Sequence, residues 1–149
     1  KKFIDVMHSR GAILLDTEIV LGSTALGYFG QPDKMWLIKG KSGNPGIVIT
    51  DWKTNKEKNF EVQPYTILMK PPFQHLYDTA LAHYYIQLPL YGKLLLKMLE
   101  GTKYANIPLL GAVVILLRPD ATYEEFKVPS QVVKTVLDMD VKSYLNEKH

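Results

Sequence analysis

Residues 46–53 (GIVITDWK) hold the most restrictive pattern in the sequence, an apolar run that passes directly into charged residues. A turn cluster at residues 41–46 precedes the run, and β-branched side chains dominate it, so it is predicted to form a buried strand at the centre of a sheet. Alternate side chains of a strand project to the same face. We therefore expect Asp51 and Lys53 to lie side by side at the end of this strand, with Trp52 pointing to the other face.

The remaining pattern predicts an α/β chain that forms one domain over residues 1–149. Strands are expected at residues 12–21, 25–29 and 34–38, as an antiparallel meander, and at residues 112–117 and 123–128. Helices are expected at residues 3–10, from an Asp78 cap to Gly101, and after a Ser130 cap. Pro89 lies inside the second helix and should kink it or mark its start. Residues 54–76 are a long proline-containing connection, which we interpret as a candidate lid or substrate arch.

Composition limits the chemistry that the chain can perform. The sequence has no cysteine, which excludes disulfides and thiolate metal sites and leaves Asp, Glu, His and backbone oxygen as metal ligands. The net charge of +3 is too small to indicate nucleic-acid binding by itself. No segment approaches the roughly 18 consecutive apolar residues of a membrane span. The chain begins with Lys1 rather than Met, so we expect a fragment or a processed product that lacks upstream residues.

A second carboxylate lies at a suitable distance from the end of the predicted strand. Asp33 follows Pro32 and precedes Asp51 by 18 residues, with one hairpin turn expected between them. Antiparallel neighbours would bring the two carboxylates together, where they repel each other unless a cation lies between them. Mg²⁺ or Mn²⁺ fits such a pair best, and Lys53 could then orient or deprotonate a water and balance the charge on a phosphoryl group. An alternative stays open, in which Asp33 is a turn residue and the Asp51–Lys53 pair is a surface ion pair.

Three segments of the sequence resemble the PD-(D/E)xK nucleases, in the branch that contains the RecB nuclease domain, phage exonucleases and a mitochondrial exonuclease. They are residues 30–33 (GQPD), 49–56 (ITDWKTNK) and 87–91 (QLPLY). The resemblance implies a restriction-endonuclease-like core, which is a mixed β-sheet flanked by helices. It also implies that Asp33 and Asp51 are catalytic and bind the metal, that Lys53 is the catalytic lysine, and that the backbone carbonyl of Trp52 is a further metal ligand.

The same resemblance implies roles for residues outside the metal-binding core. Gln87 and Tyr91 match the Gln-x-x-x-Tyr motif of this branch, which lines the active site and contacts DNA near the scissile phosphate. Glu18 matches a glutamate of the phage-type members that assists metal binding or water positioning, although a charged residue on an outer strand face needs no such role. His8 is a candidate for the ligand that family members carry on an N-terminal helix, or else an ordinary surface histidine. Lys56 either tracks a phosphate backbone or belongs to a solvated face.

These residues lead us to expect a Mg²⁺- or Mn²⁺-dependent nuclease that hydrolyses DNA phosphodiester bonds. By the resemblance, it is an exonuclease that acts on single strands or duplex ends. Two alternatives stay open: a catalytically inactive module on the same fold that binds nucleic acid or serves as a scaffold, and a structural domain of a larger enzyme. We expect an intracellular protein, in a bacterial or phage-infected cell or an organelle matrix, without a membrane span, and as an oligomer or as part of a longer polypeptide.

Overall fold

The computed structural model of the protein describes residues 13–17, 21–23, 28–30, 34–39, 44–54, 57–102 and 105–148. Within these ranges the strands are β1 (Ile13–Thr17), β2 (Leu21–Ser23), β3 (Tyr28–Gly30), β4 (Lys34–Lys39), β5 (Pro45–Lys53), β6 (Leu109–Leu117) and β7 (Tyr123–Lys127). The α-helices are α1 (Ala80–Leu99), α2 (Ser130–Asp138) and α3 (Val141–Lys148), and a short 3₁₀ helix spans Glu57–Phe60. The chain is therefore of the α/β class.

Strand β5 lies at the centre of a five-stranded mixed sheet with the order β1-β4-β5-β6-β7. It pairs with β4 in antiparallel orientation, with Lys34 opposite Thr50, and with β6 in parallel orientation, with Asp51 opposite Val114. The central, buried strand that the apolar run predicts is thus confirmed, since residues 46–51 are all buried. Because β5 has a partner on each side, its charged end is held in a fixed place in the sheet.

The main core lies between the sheet and the helices. Ile47 and Ile49 of β5 pack there with Val114 of β6, each at most 1% exposed, and helix α1 packs across β5 and β6. Alternation along β5 places Asp51 and Lys53 on this same face. Helix α2 in turn packs against α1. The site residues of β5 therefore face α1.

The opposite face of the sheet carries a second buried cluster around Trp36. Trp36 of β4 and Ile115 of β6 are fully buried there, with Val48 between them. The Trp36 indole donates a hydrogen bond of 3.0 Å from Nε1 to the hydroxyl of Thr50, which is also fully buried. Trp52 packs against this cluster, so its side chain points away from Asp51 and Lys53, as the alternation predicts.

The part of the connection from β5 to α1 that follows the 3₁₀ helix is called the strap (residues 61–79). Its arms pair at Leu68 and Tyr77, and Met69 donates its backbone N–H to the carbonyl of Leu76 at 2.8 Å. Phe73 is fully buried and meets Tyr144 of α3 edge to face, with 5.7 Å between ring centroids. The strap is therefore fixed at its tip as well as at both ends. The role of residues 54–76 as a lid or substrate arch stays a prediction.

Helix α1 begins one residue later than predicted and passes through Pro89. The side chain of Thr79 accepts a hydrogen bond from the N–H of Ala82 at 3.1 Å, so Thr79 rather than Asp78 caps the helix. Gly101, at φ +79°, follows the helix end in the left-handed region that favours glycine. Pro89 is 9 residues after the first helical residue and does not mark a start, because packing of the surrounding turns outweighs one missing N–H donor.

The C-terminal helix was predicted as one element, and this prediction is wrong. It is divided into α2 and α3 at Met139 and Asp140. The carboxylate of Asp140 accepts hydrogen bonds from the N–H and the hydroxyl of Ser143, which lowers the pKa of Asp140 and caps α3. Helix α2 has Pro129 at its N-cap and no side-chain cap bond, so Ser130 is its first residue rather than its cap.

The predicted three-strand meander is also wrong. Strand β1 pairs directly with β4 in antiparallel orientation, while β2 and β3 form a separate two-stranded sheet. Gly22 and Ser23, expected to separate two strands, lie inside β2. Glycine is depleted in strands but not excluded, and pairing with β3 decides the outcome here. The helix predicted at residues 3–10 lies outside the described residues.

None of the helices in the described part of the chain combines the length and the apolar character that crossing a membrane requires.

The buried hydrogen bond between Trp36 and Thr50 predicts a stability effect. Thr50→Val keeps the shape of the side chain but removes the acceptor, so a buried indole N–H loses its partner. We expect the free energy of unfolding to fall by about 1–3 kcal/mol in urea titrations. Thr54→Val, at an exposed position just beyond the same strand, should stay within about 0.5 kcal/mol. Equal effects of the two substitutions would contradict the role of this bond.

Candidate active site

The candidate site is built on an ion pair at the end of β5. Lys53 Nζ lies 3.0 Å from Asp51 Oδ2, with 22% of the lysine side chain and 6% of the aspartate side chain exposed. The predicted juxtaposition of these two residues is confirmed. A carboxylate withdrawn from water in this way gains little net stability from its partner, because the cost of desolvation offsets the Coulomb attraction. Stability alone therefore gives no reason for an ion pair at this place.

An aromatic ring lies under the lysine of this pair. Lys53 Nζ is 4.3 Å from the centroid of the Tyr84 ring, which α1 presents to the end of β5. Phe60, at the end of the 3₁₀ helix, meets Tyr84 edge to face with 5.9 Å between centroids. Tyr84 is not among the site residues predicted from the sequence. The one signal that could have drawn attention to it is its position three residues before Gln87, on the same helical face.

Gln87 carries a buried polar atom that no described residue satisfies. Its carboxamide oxygen is buried and makes no hydrogen bond in the part of the chain that the structure describes. Such an atom costs free energy, since it has lost water without gaining a donor. Gln87 follows Tyr84 by three positions on α1 and therefore lies on the stripe of the helix that faces Lys53. A buried acceptor that no described residue satisfies, on the helix stripe that faces Lys53, is a feature of a binding site rather than of a core.

Tyr91 extends this stripe one further turn and reaches the end of β3. A Cβ atom added to Gly30 would lie 2.2 Å from Cε1 of Tyr91, so the ring rests directly on the glycine backbone. Gly30 is the last residue of β3 and precedes residues 31–33. One face of α1 therefore contacts both the end of β5 and the end of β3. The spacing of Gln87 and Tyr91 predicts a shared face, and the continuous helix confirms it.

Four of the predicted site residues lie outside the described residues: Asp33, Glu18, His8 and Lys56. Lys34, the bonded neighbour of Asp33, pairs with Thr50, the bonded neighbour of Asp51. Among the described residues no group of three or more His, Asp or Glu side chains is placed to hold a metal ion. Among the described residues, the groups at the end of β5 that could bind a metal ion are the Asp51 carboxylate and the backbone carbonyl oxygens.

The carbonyl of Trp52 can be assigned to one side of β5. Ile47 donates its backbone N–H to Pro108, just before β6, at 2.9 Å. Since the N–H and C=O groups of successive residues in an extended strand point to alternate sides, Trp52 is predicted to face the β4 side. At this level of the sheet the β4 side leads to the segment that contains Asp33. The Asp51 carboxylate and the Trp52 carbonyl would both bind a metal through oxygen, which suits a hard divalent cation.

Neither models of known protein families nor curated protein sequences match this chain. The residues and contacts described above therefore define the candidate site by themselves.

The Gln87 oxygen, which has no partner among the described residues, predicts that removing it raises stability while impairing the site. Gln87→Met keeps the length of the side chain and removes the buried acceptor, so we expect the protein to gain about 1 kcal/mol in the free energy of unfolding. Gln131→Met, an exposed glutamine in α2, is the matched control and should change stability by less than about 0.5 kcal/mol. Urea unfolding without metal or DNA measures both, and a loss of stability in Gln87→Met would show that the carboxamide has a structural role.

Proposed function

We propose that this protein is a metal-dependent nuclease of the RecB-like branch of the PD-(D/E)xK superfamily, with a restriction-endonuclease-like core. Its reaction is the hydrolysis of DNA phosphodiester bonds, and by the resemblance it acts as an exonuclease. The observation that carries the proposal is the pair of the buried Asp51 and the partly buried Lys53 at 3.0 Å, on the face of the central strand that α1 covers. A carboxylate and an ammonium fixed together in this way suit a metal ligand and a partner of the phosphate or the attacking water.

The sheet supports this proposal by the way it presents the pair. Strand β5 lies between an antiparallel and a parallel neighbour, so the charged residues lie at the carboxyl end of a strand that cannot shift its register. In open α/β sheets, ligands bind outside the carboxyl ends of strands. Asp51 and Lys53 occupy this position, while the strap and α1 leave from the same end of β5.

The chemistry of the donor set fits a divalent cation with oxygen ligands. Asp33 precedes Lys34 and Asp51 follows Thr50, and Lys34 and Thr50 pair across β4 and β5. In an antiparallel ladder the next pair in register is the one that these two aspartates would form. The Trp52 carbonyl, predicted to face the β4 side, would be a third ligand. Mg²⁺ or Mn²⁺ held there would supply a Lewis acid that offsets negative charge on the phosphate.

The other residues of the site would act on the water and the phosphate. Lys53 has donors at Nζ beyond the one turned to Asp51, and these can bind the attacking water or a non-bridging phosphate oxygen. The buried Gln87 oxygen can accept a hydrogen bond from a water or a substrate group. Tyr91, which rests on Gly30, closes the end of the site nearest β3. Lys56, Glu18 and His8 keep the roles that the resemblance implies for them.

The proposal predicts degradation of DNA that depends on both the metal and the ion pair. With Mg²⁺, end-labelled single-stranded and duplex DNA should be shortened, and EDTA should abolish the reaction. Asp51→Asn and Lys53→Met should each lower kcat/KM by about 10²-fold or more, since an acid–base or ligand group is lost. Glu100→Gln and Lys97→Met alter an exposed ion pair of 2.9 Å at the far end of α1 and should leave the rate unchanged.

The outcomes of this assay distinguish a nuclease from a binding module and from a structural domain. Unchanged rates in both Asp51→Asn and Lys53→Met would refute the assignment of the site. An intact protein that binds DNA with a steep salt dependence but never shortens it would favour the inactive binding module. A protein with neither activity nor salt-sensitive DNA binding would favour a structural domain.

Metal binding predicts a second, independent result for the two aspartates. In calorimetric titrations of the protein without DNA, Mn²⁺ should bind at one site, and Asp33→Asn and Asp51→Asn should each weaken this binding by about tenfold or more. Asp120→Asn, in the turn between β6 and β7, is the control and should bind Mn²⁺ like the original chain. Binding that survives both substitutions would place the metal elsewhere.

A further inference from the structure

We propose that Tyr84 is a positioning residue whose ring holds the ammonium of Lys53 in place for the reaction. This inference rests on the proposed function, because Lys53 needs a fixed position only if it takes part in catalysis. The juxtaposition that carries it is the distance of 4.3 Å between Lys53 Nζ and the centroid of the Tyr84 ring. A cation at this distance over the face of a ring is attracted by the negative potential of the π system.

The ring gives Lys53 an attraction that differs in kind from that of Asp51. The carboxylate of Asp51 takes an N–H of the ammonium at 3.0 Å, whereas the ring face attracts the charge as a whole. Lysine is a point charge on a flexible four-carbon stem, so one ion pair leaves it many rotamers. Two contacts from different directions restrict the stem while leaving donors of Nζ to bind a water or a phosphate oxygen.

The contact with Tyr84 matters most when a cation shares the Asp51 carboxylate. A divalent ion bound to Asp51 would be attracted by the same carboxylate as Lys53, and it would repel the Lys53 ammonium because both are positively charged. The Tyr84 ring is neutral, so a divalent ion at Asp51 does not compete with Lys53 for it. The attraction between Tyr84 and Lys53 therefore persists under conditions that weaken the Asp51–Lys53 pair, and it keeps the lysine near the phosphate.

The Tyr84 ring is itself held in place by other aromatic rings. Phe60, only 8% exposed, meets Tyr84 edge to face with centroids 5.9 Å apart and an interplanar angle of 68°. Phe60 also meets Phe126 of β7 at 5.4 Å and 81°. These contacts link three elements, the 3₁₀ helix, α1 and β7, to the ring under Lys53. Tyr84 can fix the lysine because its own orientation is fixed by packing.

Three variants separate the ring from the hydroxyl and from general packing. Tyr84→Phe keeps the ring, Tyr84→Leu fills much of the space without a π face, and Tyr85→Leu is the matched control. Tyr85 is the adjacent, half-buried tyrosine of the same helix, and burial raises its pKa. It points to a different side of α1 and has no part in the proposed site. If Tyr84→Leu does not fold, Tyr84→Met serves in its place, since methionine fills irregular space.

The first readout is spectroscopic and needs no activity. A group above an aromatic ring experiences a ring-current shift, so the ε-methylene protons of Lys53 should resonate upfield of those of other lysines. The signal is assigned by its loss in Lys53→Met. It should be retained in Tyr84→Phe and Tyr85→Leu, with and without Mg²⁺, and lost in Tyr84→Leu. An upfield signal that persists in Tyr84→Leu would overturn the proposal.

The second readout is the division of the effect between kcat and KM. If the ring positions Lys53, Tyr84→Leu should lower kcat of DNA hydrolysis by about tenfold to a hundredfold and leave KM little changed, as expected for a misplaced group. Tyr84→Phe and Tyr85→Leu should stay near the original rate. An unchanged kcat in a folded Tyr84→Leu protein overturns the proposal. A chain that hydrolyses no DNA at all refutes the proposed function instead, and the spectroscopic result then decides the contact alone.

Discussion

The burial of Asp51 is the constraint on which the site depends. A carboxylate with 6% of its side chain exposed must be compensated, and the structure does so with Lys53 at 3.0 Å rather than with an apolar replacement. The central strand holds Asp51 and Lys53 in this geometry, because its pairing with β4 and β6 fixes the register of both residues. The face on which they lie is the one that α1 covers, so residues of α1 become the walls of the site.

Helix α1 connects parts of the site that are distant in sequence. Its Tyr84 touches Lys53 at the end of β5, and its Tyr91 rests on Gly30 at the end of β3. Between them, Gln87 presents a buried oxygen that no donor in the described residues satisfies. The helix retains Pro89 in its interior, at the cost of one backbone hydrogen bond. The buried Gln87 oxygen and the hydrogen bond missing at Pro89 each lower the stability of this helix, which also carries the residues for which we propose a role at the site.

Several features of the fold could be predicted because their signals are local. The run at residues 46–50 contains its own evidence of a buried strand, and alternation then places Asp51 and Lys53 together. The predictions were wrong where the outcome depends on contacts between elements or on a single capping residue. Strands β1, β3 and β4 overlap the three strands predicted from the sequence pattern, whereas β2 was not predicted as a strand of its own. Whether β1 pairs with its neighbour in sequence or with β4 depends on the whole sheet. The division between α2 and α3 depends on one Asp140 cap, which helical periodicity does not reveal.

The sequence by itself determined the class of the fold, the central strand and the pair of charges at its end. These follow from side-chain period and burial, which are properties of neighbouring residues. Only the tertiary structure decided that Tyr84 lies under Lys53, that Phe60 and Phe126 fix the ring, and that the oxygen of Gln87 is buried with no donor among the described residues. The physical reason is that these contacts join residues of different elements, whose approach is set by how α1 packs on the sheet and not by any local pattern.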